Sequence, residues 1–143
     1  MKVAGEILLG YDGSDGAKAA LPHAVALAKA FGVPLVAAFA YGVNPVGGVG
    51  GDQARATEKL GEGFLAEAAA AANAIDAGVT VEPMLVDGTP VEGLVAAAET
   101  RGAHILVIGG NGRGPMVGSL LGSVSYKLLH QTSVPVLVVQ PPD

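Results

Sequence analysis

Five short β-like runs alternate with longer helical ones along this 143-residue chain, and that alternation constrains the fold more than any other feature. The β-like runs cover 3–11, 33–41, 79–88, 104–109 and 134–140; the helical ones cover 14–31, 54–75, 89–102 and about 122–132. The segments "ILLG", "ILVIG" and "VLVV" are apolar at every position, as strands covered on both faces are. Repeated strand–helix–strand units require parallel crossovers. The expected fold class is therefore α/β, a doubly wound parallel sheet with helices on both faces, forming a single domain over 1–143.

Local signals place the elements. Ala20, Leu21, Ala24, Val25, Leu27 and Ala28 form a helical stripe, with Ser14 or Asp15 ready to cap its first turn. Pro22 lies inside that stretch and predicts a kink or a late helix start. Pro83 puts the third strand at a sheet edge. Thr89 as cap, Pro90 at the first helical position and Gly102 after the last turn bracket the third helix.

Composition narrows the function. Net charge is −5, and the eight Lys and Arg form no cluster, so a surface for nucleic acid is not expected. No apolar run approaches the roughly 20 residues of a membrane-spanning helix. The first residues, "MKVAGEILLGYD", lack the pattern of a secretory signal, which makes the cytoplasm the expected location. Without cysteine there is no disulfide, no thiol catalysis and no thiolate metal site. His23, His104 and His130 share no ligand spacing and read as structural.

Ligands of parallel sheets sit beyond the carboxyl ends of the strands where the strand order reverses. Two exits there are loops of small residues, "GYDGSD" after strand one and "GGNGRGPMVGSLLGS" (109–123) after strand four. The second holds six glycines in fifteen positions, more than a turn needs. It is neither a Walker A loop, since no Gly-Lys pair occurs, nor a dinucleotide fingerprint, since Pro115 stands where the third glycine belongs. What it contains is G-x2-G-x9-G-S, with Gly109, Gly112, Gly122 and Ser123. The first two glycines free backbone N–H groups, and Gly122–Ser123 opens a helix whose positive end suits a phosphate. Ser123 and Ser125 add hydroxyls, while Arg113 and Lys127 are the cations nearest in sequence and read equally well as solvated. The loop "GVNPVGGVGGDQ" (42–53) reads as slack rather than as a lid. Asp12 reads equally as a ligand contact and as a cap for the following helix, and Ser14 reads as a cap.

That glycine spacing, with "YDGSD" after the first strand and "SVPVLVV" near the end, resembles the universal stress protein family along essentially the whole chain. The resemblance implies a five-stranded sheet of order 3-2-1-4-5 that binds ATP, or ADP, AMP or cyclic AMP; the sparse cations make Mg2+ or Mn2+ an expected companion of the phosphates, with no metal held by protein side chains alone. It implies that Asp12 faces the adenine and ribose, with backbone from Gly10 and Tyr11. Ala40 would lie by the base, and Ile108 and Gly109 would flank base and sugar. Gly112, Gly122, Ser123, Val124 and Ser125 would hold the phosphates, with Asn111 where the family often has histidine. The last strand, Val134 to Val139, would pair with a second copy in a homodimer.

The functional expectation is a dimeric, nucleotide-dependent regulator of stress responses rather than a turnover enzyme. The loop has no lysine, and no second acid beyond the start of the first helix stands near Asp12 in sequence, so at most slow ATP hydrolysis or autophosphorylation is expected. Two alternatives are a nucleotide-free dimeric interaction module of the same fold and a weak ATPase. The "HIGH" and "SGGxDS" signatures of adenylating relatives are absent.

Overall fold

The computed structural model describes residues 5–42, 51–110 and 123–142, with backbone alone at 51–54 and 123. The elements run β1 (Ile7–Gly10), α1 (Asp15–Phe31), β2 (Leu35–Ala40), α2 (Gly51–Ile75), β3 (Val81–Val86), α3 (Pro90–Arg101), β4 (Ile105–Gly109), α4 (Ser123–Gln131) and β5 (Val136–Val139). All strand pairs are parallel, in the order β3-β2-β1-β4-β5. Pairing Leu8 with Val36 on one side and with Leu106 on the other puts β1 at the centre.

Side-chain alternation along the strands divides the core in two. Ile7 and Leu9 of β1, and Tyr11 just after it, face α1 and α2, where they pack with Leu21, Val25, Leu65 and Ala68. Leu8 faces α3 and α4 with Val36, Leu106, Leu94 and Leu128. Alanines at 17, 20, 24 and 28 of α1 are buried and let the helix lie close on the sheet. A side chain at Gly61 of α2 would collide with the ring of Phe39, so α2 also needs its small residue.

Several expectations are refined. α1 starts at Asp15 and runs unbroken for 17 residues through Pro22, so the late start is corrected. Pro22 and Lys18, whose carbonyl loses its helical partner, both lie on the exposed side, where water can satisfy the freed group. Ser14 is the cap, its hydroxyl accepting from the Ala17 N–H at 3.2 Å. α2 begins at Gly51 rather than 54, taking the end of the expected loop, whose residues 43–50 lie outside the described residues. Every strand is shorter than its apolar run, because those runs continue into the loops that cover the core. α3 has its expected cap at Thr89, Pro90 in the first turn, and Gly102 left-handed at its end (φ 63°). Pro83 does lie on an outer strand, β3, and β5 forms the other edge.

Candidate functional site

The sheet order reverses between β1 and β4. From β1 the chain passes to α1 on one face; α4, which follows β4 in sequence, packs on the other. The divergence opens a crevice above the carboxyl ends of these strands. It is a cleft of about 340 Å³, lined from β1 and its exit loop through α1, β2, α3, β4 and α4 to Pro141.

Its base is made of small and aliphatic residues: Gly10, Ala38, Ala40 and Ile108 on the sheet, with Pro90 and Leu94 of α3 beside them. A methyl group on Gly10 would come within 2.9 Å of Leu94 Cδ1 and 3.4 Å of Ile108 Cγ2. Glycine there keeps the cleft deep. The polar rim carries Asp12, Ser14, Asp15 and Ser125. Asp12 is exposed, and its Oδ1 accepts from the Ser14 N–H at 3.0 Å. The carboxylate therefore shapes the turn before α1 while Ser14 caps the helix, and both residues still line the cleft.

Residues from the first turns of three helices line the cleft, and they differ in charge. α1 carries Asp15 in its first turn and spends its cap on Ser14. α3 carries Glu92 there, whose N–H donates to Thr89 Oγ1 at 3.3 Å. α4 has no acid in its first turn, and it brings Val124 and the buried Ser125 to the cleft. Its N-terminus is the one whose positive dipole end is not offset by a carboxylate of its own first turn, so an anionic group is favoured at the α4 end. The cleft thus combines an apolar lining from the sheet and α3 with an anion-favouring helix start at α4.

Of the residues singled out in the sequence, Gly10, Tyr11, Asp12, Ala40, Ile108, Gly109, Val124 and Ser125 line this one cleft. Asn111, Gly112 and Gly122 lie outside the described residues, as does Arg113; Ser123 opens α4, its side chain likewise outside. Lys127 is exposed on α4 and is not among the lining residues. Tyr11 contributes from its backbone side only. Its N–H donates to the Ala38 carbonyl at 2.8 Å, and its ring is buried on the opposite face with α1 and α2. There the hydroxyl donates to Glu67 Oε1 at 3.0 Å. Burial, then that hydrogen bond, then the charges of Glu67 and Asp12 push the phenol up to about 12, so it stays protonated.

Sequence reading passed over Ala38, Pro90, Leu94 and Pro141. Ala38 was within reach, two residues before Ala40 and so on the same face of the strand. Leu94 was not, because its place depends on how α3 crosses the sheet. None of the histidines is among the residues lining the cleft. His104 stacks edge-on against Phe31 at 4.7 Å, His130 contacts Tyr126 at 4.4 Å in the last turn of α4, and His23 is exposed on α1. Among the described residues, no three His, Asp or Glu side chains converge as a metal site, and no helix is long and apolar enough to cross a membrane.

The model of the universal stress protein family matches residues 5–140. A universal stress protein of Mycolicibacterium smegmatis is 34% identical over 139 residues, covering 94% of this chain, which spans only 45% of that relative's length. The universal stress protein in QAH/OAS sulfhydrylase 3'region of Thermus aquaticus is 34% identical over 145 residues, covering 94% of this chain and 97% of its own. Among solved structures, a universal stress protein in complex with cAMP is 32% identical with a TM-score of 0.72, over 96% of this chain and 98% of that one. MJ0577 of Methanocaldococcus jannaschii is 26% identical with a TM-score of 0.78, over 97% of both chains. With the family model matched from before β1 to the end of β5, and a full-length relative at this identity, the chain belongs to the universal stress protein family.

Proposed function

We propose that the cleft between β1 and β4 binds an adenine nucleotide, with the base over Ala38, Ala40 and Leu94 and the phosphates at the α4 end. The observation that carries this is the mixed lining of the cleft: apolar residues of the sheet and α3, together with an acid-free helix start that bears the buried Ser125. The related protein in complex with cAMP supports the choice of ligand class. Asp12, Gly10, Ile108 and Gly109 take the sugar in this reading, and Val124 and Ser125 the phosphates, with Asn111, Gly112, Gly122 and Ser123 of the glycine motif. ATP is the proposed physiological ligand. Mg2+ or Mn2+ would enter with its phosphates, since the described cleft presents carboxylates and no Lys or Arg to offset their charge.

The proposed role is a switch in stress responses, in which occupancy alters the surface offered to a partner, rather than a turnover enzyme. A homodimer through β5 belongs to the same proposal. β5 is an edge strand, and Leu137 on it is exposed, near an α4 that exposes Tyr126 and Leu129. These exposed apolar groups also favour the second reading, a nucleotide-free dimeric module.

Calorimetric titration of nucleotide-stripped protein with ATP, ADP, AMP and cyclic AMP, with and without Mg2+, separates the two. Saturable one-to-one binding supports the switch. A folded protein that binds none of them leaves the interaction module.

A further inference from the structure

We infer that Tyr11 and Glu67 position Asp12 for the cleft's occupant from the far side of the sheet, which makes α2 the helix that responds to occupancy. The inference rests on the reading of the cleft as a nucleotide site. Among the described residues, α2 supplies nothing to the cleft lining. It nevertheless holds both chain neighbours of Asp12. On one side, the Tyr11 hydroxyl donates to Glu67 Oε1 at 3.0 Å, with the tyrosine only 2% exposed. On the other, Gly13 is in the left-handed region (φ 77°), and a side chain there would overlap the ring of Phe64. Phe64 and Glu67 are three residues apart and so lie on one face of α2. A single helical turn therefore grips positions 11 and 13 while Asp12, between them, points the opposite way into the cleft.

The arrangement determines what Asp12 can do. Its carboxylate is exposed and makes a local bond to the Ser14 N–H, so its direction is set by the backbone of 11–14 rather than by packing around its own side chain. Besides the Tyr11 N–H bond to Ala38 and the Ser14 cap, that backbone is held from the other face by α2. The phenol is suited to that role: a protonated, buried donor, whose exposed acceptor Glu67 is also approached by Lys18 Nζ at 3.7 Å. An occupant that engages Asp12 tightens the grip of α2 on Tyr11 and Gly13, and loosening that grip weakens the occupant by the same factor. Tyr11 and Glu67 are thus positioning residues.

The test is calorimetric titration with cyclic AMP and with Mg-ATP. Tyr11→Phe and Glu67→Ala are each expected to weaken binding about three- to tenfold, the worth of one hydrogen bond. The double variant should be no weaker than either single one. Glu67→Gln, whose amide oxygen still accepts the phenol proton, should bind within about twofold of the parent. In an Asp12→Ala background, Glu67→Ala should cost nothing more. Binding of Glu67→Ala equal to that of the parent overturns the inference, as does a loss that persists without Asp12. If the parent protein binds neither nucleotide, the reading of the cleft fails instead, and the grip is then decided on the free protein by hydrogen exchange. Faster exchange at Gly13 and Ser14 in Glu67→Ala than in Glu67→Gln upholds it, and equal exchange overturns it.

Discussion

Gly16 of α1 and Gly109 of β4 touch backbone to backbone: a methyl group on Gly109 would overlap the Gly16 carbonyl, and one on Gly16 would lie 2.5 Å from the Gly110 carbonyl oxygen. This contact brings the start of α1 against the exit of β4 and so fixes the width of the cleft. Because the obstacle is backbone, it cannot rotate away. Gly109→Ala and Gly16→Ala are each expected to destabilise the fold by about 1–3 kcal/mol or more. Urea denaturation checks this; an unchanged midpoint would mean that α1 can retreat at no cost.

Gly63 supplies the contrast. It lies on the exposed side of α2 with nothing within 4 Å of where a side chain would start. Alanine there removes backbone freedom from the unfolded chain without meeting a neighbour, and should raise stability by about 0.5–1 kcal/mol. Gly61→Ala, two residues earlier, should lower it, because the added methyl group meets Phe39. Paired thermal melts of the two variants check the opposite signs.

At the base of the cleft, Gly10→Val would place methyl groups in the apolar region proposed to take the base. Leu94 Cδ1, the nearest atom at 2.9 Å, is the end of a flexible side chain, so the fold should survive. Nucleotide affinity should fall at least about tenfold, or 1.4 kcal/mol. Titration of the folded variant measures it, and unaltered affinity would move the base out of this end of the cleft.

Tyr11 gives stability an alkaline limit. Its phenol is pushed up to about 12 in the fold from 10.0. Below pH 10 both folded and unfolded chains keep the proton, and the full contribution is present. Between about 10 and 12 the unfolded chain releases the proton first. The unfolded state then binds fewer protons than the native state, so stability falls as pH rises through the folded value. Denaturant midpoints at pH 8 and pH 11 should drop further for the parent protein than for Tyr11→Phe. Equal drops would remove Tyr11 as a source.

The alternation of elements was legible because strands buried on both faces must be apolar throughout, and "ILLG", "ILVIG" and "VLVV" are. Caps were legible at Thr89 and Gly102, where a local hydrogen bond and a left-handed backbone select the residue type. Strand ends were not, since apolar residues such as Val33 and Val79 extend the runs past the ladder. Much of the cleft followed from the exit of β1, which carries Asp12 and Ser14, and from the start of α4, which carries Ser125. Leu94 and the Tyr11–Glu67 bond, spanning 56 positions, depend on where helices land across the sheet, which no local pattern encodes. Pro22 shows the opposite error, a strong local rule relaxed because the affected carbonyl faces water.

The two edges of the sheet are unlike, and that limits how copies can add. β3 exposes Glu82 and Pro83, a charge and a residue with no N–H to share, whereas β5 exposes Leu137 and carries neither between 136 and 139. A sheet with one receptive edge accepts a single addition, after which both outer borders of the joined sheet are the unreceptive kind. In the proposed homodimer, growth by strand pairing would therefore end at a closed pair. Such a pair would use the open edge of β5 while leaving no receptive border for a fibre.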